Sequence, residues 1–205
     1  SDEVIVLKDG VFVGKEPTGS ITNDDLIKMM VGRPLGKIFD ELNRNENIGN
    51  TIMELKNVTT DYVSDISFTV RKGEVLGFAG LVGAGRSELL NAIFGVIPKN
   101  SGRVFLEGKE ISISNPWDAI EFGIGLLTED RKKNGFVGTM NIKHNMTLAI
   151  LKNLNKGLTL DFSKEDREAE KYFDALDVKA PGMDTMITSL SGGNQQKVIL
   201  AKWLM

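Results

Sequence analysis

GLVGAGRSE, Gly80 to Glu88, stands between an apolar run, VLGFA at 75–79, and SELLNAIF at 87–94, whose apolar spacing fits a helix. Glycines let successive backbone amides converge on an anion. A helix N-terminus adds positive potential there, and a serine hydroxyl at the next position can ligate Mg2+. The pattern for such a loop is GxxxxGK[ST] between a strand and a helix. Gly80, Gly85 and Ser87 fit it, whereas Arg86 stands where the pattern has lysine. Taken alone, the stretch leaves two readings open: a loop that cradles phosphate, or a glycine-rich strand-to-helix turn with no ligand.

The surroundings predict alternating strands and helices. VLGFA is a continuous apolar run suited to a buried parallel strand, and IGLLT at 124–128 reads as a second. Between them lies a helix opened by Asn115 and Pro116 and closed near Gly123. MELKNVTT, ISFTV and SGRVFLEGKEI supply shorter strands, with turns at Arg71 to Glu74 and around Gly108. Downstream, EDRKKNG reads as a polar loop and NIKHNMTLAIL as a helix. SKEDREAEKYFDAL reads as a helix capped by Ser163 with Asp166 in the box position, and in SLSGGNQQKVILAKWLM a Gly-Gly pair opens the last helix.

Upstream, VIVLKDGVFVGK predicts a hairpin turning at Asp9 and Gly10. TNDDLIKMMVG predicts a helix with Thr22 as cap, Asp25 in a capping box and Gly32 at its end. Its apolar set, Leu26, Ile27, Met29, Met30 and Val31, is too large for a small hairpin alone and calls for a larger body. Residues 34 to 51 are polar and aperiodic, which marks a linker, so the expected organisation is 1–33, linker 34–51, and a second unit 52–205. No terminating signal follows Met205, and the chain is expected to be cut there.

The 205 residues are 41% hydrophobic and 26% charged, ordinary globular material, with a net charge of −3 that offers no overall basic field to a nucleic acid. There is no cysteine, which removes disulfides, thiolate zinc sites and cysteine nucleophiles. No apolar run is long enough to span a bilayer. The only histidine, His144, falls in a helical stretch and suits an exposed or capping role better than catalysis. Trp117 and Trp203 fall at helical apolar positions and suit packing.

The second constellation is LSGGNQQ, Leu190 to Gln196. Ser191 and the amides of Gly192 and Gly193 at a helix start make another anion-binding turn. With both stretches in this order, the chain resembles an ATP-binding cassette (ABC) protein, and LSGGNQQKV is similar to the form in importers of monosaccharides. GIGLLTEDRKKNGFV resembles the second cassette of tandem sugar importers, where a glutamate replaces the metal-contacting glutamine; Glu129 takes that place. VLKDGVFVGK with DDLIKMMVGR looks like the end of a first cassette.

The resemblance implies an α/β P-loop NTPase of RecA-like type, with an antiparallel β subdomain and a helical subdomain, ending before the Walker B segment. It implies ATP and Mg2+ as cofactors. ATP would meet Tyr62, which would stack on adenine, and Gly80, Gly83, Ala84, Gly85, Arg86, Ser87 and Glu88. Mg2+ would meet Ser87 and Glu129. Ser191, Gly192, Gly193 and Asn194 would contact ATP held by the opposite cassette. It further implies a first cassette in the same polypeptide, transmembrane permease subunits, indirectly a solute-binding protein, a peripheral place on the cytoplasmic face of the membrane, and no nucleic acid. The region from Gly135 to Leu176 would be the docking side.

In the family the metal aspartate, the catalytic glutamate and a switch histidine follow the helix opened by the LSGG signature, here at 190–193, and so fall past Met205. No catalytic residue is therefore expected within 1–205, and the segment alone is expected to be inactive. Arginine is a wider planar fork than lysine, and Glu88 adds an anion to the first helical turn, so the Arg86 loop reads as a degenerate site. The alternatives are a nucleoside importer, a cassette ATPase outside transport, or a regulatory half that does not hydrolyse.

Overall fold

The computed structural model describes residues 1–8, 10–31, 45–156 and 159–205. Asp9 of the hairpin turn, Gly32 at the expected helix end and residues 34–44 of the expected linker lie outside the described residues. The chain divides into two compact units, Ser1–Gly49 and Asn50–Met205.

In the first unit, β1 (Glu3–Lys8) pairs antiparallel with β2 (Val11–Pro17). Helix α1 (Asn23–Val31) begins with the expected capping box: Asp25 N–H donates to Thr22 Oγ1 at 3.2 Å and Thr22 N–H to Asp25 Oδ2 at 3.3 Å. Met29 reaches over Gly14, where a Cβ would collide with its tip. Val6 is buried, yet Leu7, Val11, Phe12 and Met30 remain exposed. One helix thus covers only part of the apolar surface of this unit.

The second unit has two cores. A four-stranded antiparallel sheet runs in the order β4 (Ile66–Arg71), β3 (Thr51–Thr59), β5 (Ser101–Leu106), β6 (Lys109–Ile111). Alternation along β4 turns Ile66, Phe68 and Val70 inward, as expected for a half-covered sheet. Helix α2 (Arg86–Ile93) lays Leu89 and Ile93 against Leu55, Val58 and Val104 of that sheet. Each such side chain, fully buried, contributes about 1.5–3 kcal/mol. Helix α3 (Pro116–Glu121) follows, with Asn115 and Asp118 forming its capping box.

The other core is helical. Ile142 and Met146 of α4 (Ile142–Thr147) pack with Val198 and Ala201 of α6 (Gly192–Leu204), with Ile187 and Val178 closing the cluster. Between them in sequence comes α5 (Phe162–Ala175). Its cap is Asp161, whose carboxylate accepts from Lys164 N–H at 3.0 Å, and not Ser163. Asp166 does not close a box either, because its carboxylate is drawn 2.7 Å from Lys143 Nζ on α4.

The sequence expectation fails at the two apolar runs. Residues 75–79 and 124–128 form no ladder among the described residues, and Val75 is 97% exposed. A buried parallel strand owes its place to neighbours on both edges, and no described strand pairs with either run. Phe78 instead meets Phe68 edge-on at 5.1 Å. Of the tryptophans, Trp203 packs as expected, edge-on to Phe94 at 5.3 Å, whereas Trp117 is 58% exposed, the buried position of α3 being taken by Ala119. His144 is exposed.

Candidate functional site

The glycine loop begins at the end of the apolar run and enters α2 through Gly85, whose φ of 82° is left-handed. No side chain caps this helix, so its first-turn amides carry no internal partner. Any Cβ at Gly85 would strike the Val63 side chain and lie 3.4 Å from Tyr62 O. Backbone freedom and close approach both require glycine there. Gly83 also has positive φ, at 83°, and Ala84 N–H donates to Leu81 O at 3.1 Å. Arg86 arches back toward Gly80, where a Cβ would meet its Cδ at 3.7 Å. Arg86 and Ser87 are exposed and Glu88 half-buried in the first turn.

Tyr62 belongs to a turn built by Thr60. The buried Thr60 hydroxyl accepts from Tyr62 N–H at 3.1 Å and Val63 N–H at 3.2 Å, while Thr60 N–H donates to Val63 O at 2.8 Å. Asn100 Nδ2 holds Asp61 Oδ1 at 2.8 Å. The tyrosine backbone is thereby fixed beside Gly85 while its ring stays 64% exposed. Such a ring is free to stack.

Ser87 and Glu129, 42 positions apart in sequence, line one cleft of about 750 Å3. Leu126, Asp130, Arg131 and Gln196 share it. Among the described residues no group of three or more histidine, aspartate or glutamate side chains is arranged to hold a metal. A magnesium ion at Ser87 and Glu129 would therefore complete its oxygen shell from phosphate and water, as Mg2+ commonly does.

EDRKKNG is not a free polar loop. Residues Arg131–Gly135 make one π-helical turn capped by Asp130, whose carboxylate accepts from Lys132 N–H at 3.1 Å and Lys133 N–H at 3.2 Å. The Lys133 amide hydrogen bond, foremost, holds the Asp130 carboxyl below the usual aspartate range. Both ends of the turn are tied to α6. Arg131 Nε donates to Gln195 Oε1 at 3.1 Å, and Lys202 Nζ donates to Gly135 O at 2.8 Å. Burial pushes the Lys202 pKa down.

At the start of α6, Arg131 Nη2 lies 2.6 Å from where a Gly192 Cβ would be. Only glycine leaves that guanidinium its place. Gln195, buried, passes the contact on through Nε2 to Ile187 O at 3.2 Å. The side chain of Ser191, the N-cap, makes no hydrogen bond to the helix amides, although its carbonyl accepts from Gln195 N–H at 3.0 Å. Ser191 and Gly193 are exposed, and Asn194 donates from Nδ2 to Ser191 Oγ at 3.1 Å while accepting from Lys179 N–H at 2.9 Å. Sequence reasoning missed Arg131, Gln195 and Gln196; the Arg131 and Lys202 contacts span 64 and 67 residues, and no local pattern announces them.

The structure thus brings together glycine-opened starts of α2 and α6, an exposed tyrosine and a cleft lined by hydroxyl and carboxylate. The chain belongs to the ABC transporter family, whose model matches residues 63–205. It is 44% identical over 204 residues to the ribose import ATP-binding protein RbsA of Bacillus cereus, covering 99% of this chain and 41% of that protein. It is 43% identical over 207 residues to a protein of Halalkalibacterium halodurans provisionally named a ribose/galactose/methyl galactoside import ATP-binding protein, covering 100% of this chain and 39% of that one. The chain thus spans about two fifths of the curated relatives it matches.

Among solved structures, an ATP-binding cassette captured as a dimer after hydrolysis with ADP and Pi is 18% identical, with a TM-score of 0.61 over 75% of this chain and 69% of that chain. A nucleotide-free cassette from an ABC transporter is 25% identical, with a TM-score of 0.58 over 75% of this chain and 64% of that chain. These likenesses agree with an ABC-type α/β fold. No helix among the described residues is long and apolar enough to cross a membrane.

Proposed function

We propose that this chain is part of an ATP-binding subunit that couples ATP binding and hydrolysis to import of a monosaccharide. The observation that carries the reading is the joint cleft of Ser87 and Glu129 below the uncapped start of α2. In this reading Tyr62 stacks on adenine and the amides of Gly83, Ala84 and Gly85 cradle phosphates, with Gly80 keeping the entry open to the Arg86 side chain. Arg86 grips phosphate oxygen, and Ser87 with Glu129 holds Mg2+. Glu88 adds negative charge near the triphosphate, which Mg2+ or Arg86 offsets. The bound metal would neutralise phosphate charge.

The turn of Ser191, Gly192, Gly193 and Asn194 serves a nucleotide held by an opposite cassette. Residues 1–33 are then the tail of that first cassette, 34–51 the linker and 52–205 the second cassette, and the exposed apolar face of the first unit supports this division. The partners are transmembrane permease subunits and, through them, a solute-binding protein, with no nucleic acid, at the cytoplasmic face of the membrane. The likeness to ribose import ATP-binding proteins supports the sugar reading; a nucleoside importer is the second reading.

Both readings have an asymmetric motor, in which the site served by Ser191 hydrolyses and the Arg86 site binds or regulates. No catalytic residue is assigned within 1–205, and the segment by itself is expected to give no phosphate release above a blank. The test is the full-length polypeptide reconstituted with its permease in vesicles. ATP-driven uptake of ribose or galactose is expected, and uptake of nucleosides alone would replace the sugar reading. Ser191→Ala should lower hydrolysis by about 10²-fold or more, and Arg86→Ala by much less; equal losses refute the asymmetry.

A further inference from the structure

The turn at Ser191 departs from ordinary helix capping. An N-cap serine normally turns its oxygen inward to accept from the second or third amide of the helix. Ser191 Oγ makes no such bond. It accepts instead from Asn194 Nδ2 at 3.1 Å. The orientation of the Asn194 amide is not arbitrary, because its other atom receives the backbone N–H of Lys179 at 2.9 Å. A backbone N–H only donates, so oxygen must face Lys179 and nitrogen must face Ser191.

Two consequences follow from that direction. The serine oxygen, taken up as an acceptor for Asn194, leaves its own O–H to donate, and among the described residues nothing accepts it. The first amides of α6, no longer covered by the cap, remain open as well. The turn therefore presents outward the Ser191 hydroxyl proton and the open first amides of α6, donors of the kind an oxyanion takes.

We propose that Asn194 is a positioning residue and does not itself contact nucleotide: its amide, anchored on Lys179, draws Ser191 Oγ off the helix amides and turns the hydroxyl proton toward a phosphate oxygen. This rests on the reading that the turn meets the phosphate of a nucleotide in an opposite cassette. A glutamine, one methylene longer, would have to fold its chain to bridge the same two atoms, so asparagine suits this span.

The test is a double-mutant cycle on Mg2+-ATP hydrolysis by the full-length polypeptide with its permease. Ser191→Ala is expected to cost about 10²-fold in kcat and Asn194→Ala about tenfold. In the Ser191→Ala background, Asn194→Ala should add less than about twofold, since there is no hydroxyl left to orient. Asn194→Asp keeps the Lys179 bond but presents oxygen and charge to Ser191, so it reverses the hydroxyl and should lose more than Asn194→Ala. If Asn194→Ala does not fold, Asn194→Asp, nearly isosteric, carries the comparison with its thermal midpoint measured alongside. A full tenfold loss persisting without Ser191, or an Asn194→Asp variant as active as the parent, overturns the role of Asn194 alone. Unchanged hydrolysis by Ser191→Ala would instead bring down the phosphate reading of the turn, and the positioning role with it.

Discussion

Two turns in this chain begin helices at glycines, and they are held in opposite ways. At Gly85 the backbone is left-handed, no side chain caps α2, and the residues leading in are bare: Leu81 is 86% and Val82 100% exposed. At Gly192 the turn is gripped from three segments, through Arg131, through Lys179 N–H on Asn194, and through Gln195 on Ile187. Donors fixed before a ligand arrives cost no reorganisation when it binds. The Gly192 turn is thus preassembled within residues 50–205, while the glycine loop at 80–85 relies on the Thr60 turn behind it and on α2.

The sharpest way to break this contrast is Gly85→Val. It forces a β-branched residue into positive φ and against Val63, strains that cost about 1–3 kcal/mol each. Loss of that total in denaturant titration, with nucleotide binding abolished, is expected; a stable variant that still binds would show the loop to be more tolerant than its geometry. Next comes Arg131→Met, which strips a buried Gln195 oxygen of its donor at about 1–3 kcal/mol. Gly192→Ala should displace the same guanidinium, so the pair is expected to be non-additive by at least about 0.5 kcal/mol. Strict additivity would mean that Arg131 does not reach Gly192.

A smaller effect separates the two ends by hydrogen exchange. Amides of residues 76–79 are expected to exchange rapidly in the 205-residue chain, while those of Val198 to Ala201 are protected. Equal protection of both segments removes the contrast. The smallest effect is acid sensitivity of the Asp130 cap. A carboxylate held low in the folded state stabilises fully above its unfolded value and loses that contribution as pH falls through the folded one. The turn at Arg131–Gly135 should therefore loosen only below the usual aspartate range, read from the Lys133 amide resonance; loosening between pH 5 and 7 would assign the cap to another group.

Local chemistry was legible where partners lie close in sequence. Thr22 with Asp25, Asn115 with Pro116, the Gly108 turn and the start of α6 all form as their residue types dictate. The cap of α5 was misread because Ser163 and Asp161 both suit an N-cap, and Asp161 takes the Lys164 amide while Asp166 goes to Lys143. The apolar runs 75–79 and 124–128 carry the composition of buried strands, but composition does not supply the neighbours that make a ladder.

The sequence by itself determined the order of the chemistry-bearing turns, the glycines that permit them and the ABC family to which they belong. Glycine placement and capping are local rules that a few residues satisfy among themselves. Only the tertiary structure decided that Ser87 and Glu129 share a cleft, that Arg131 and Lys202 tie EDRKKNG to α6, and that Asn194 faces its oxygen to Lys179. Those pairings join residues 15 to 67 positions apart. Their geometry depends on how two cores pack, which no short-range pattern encodes.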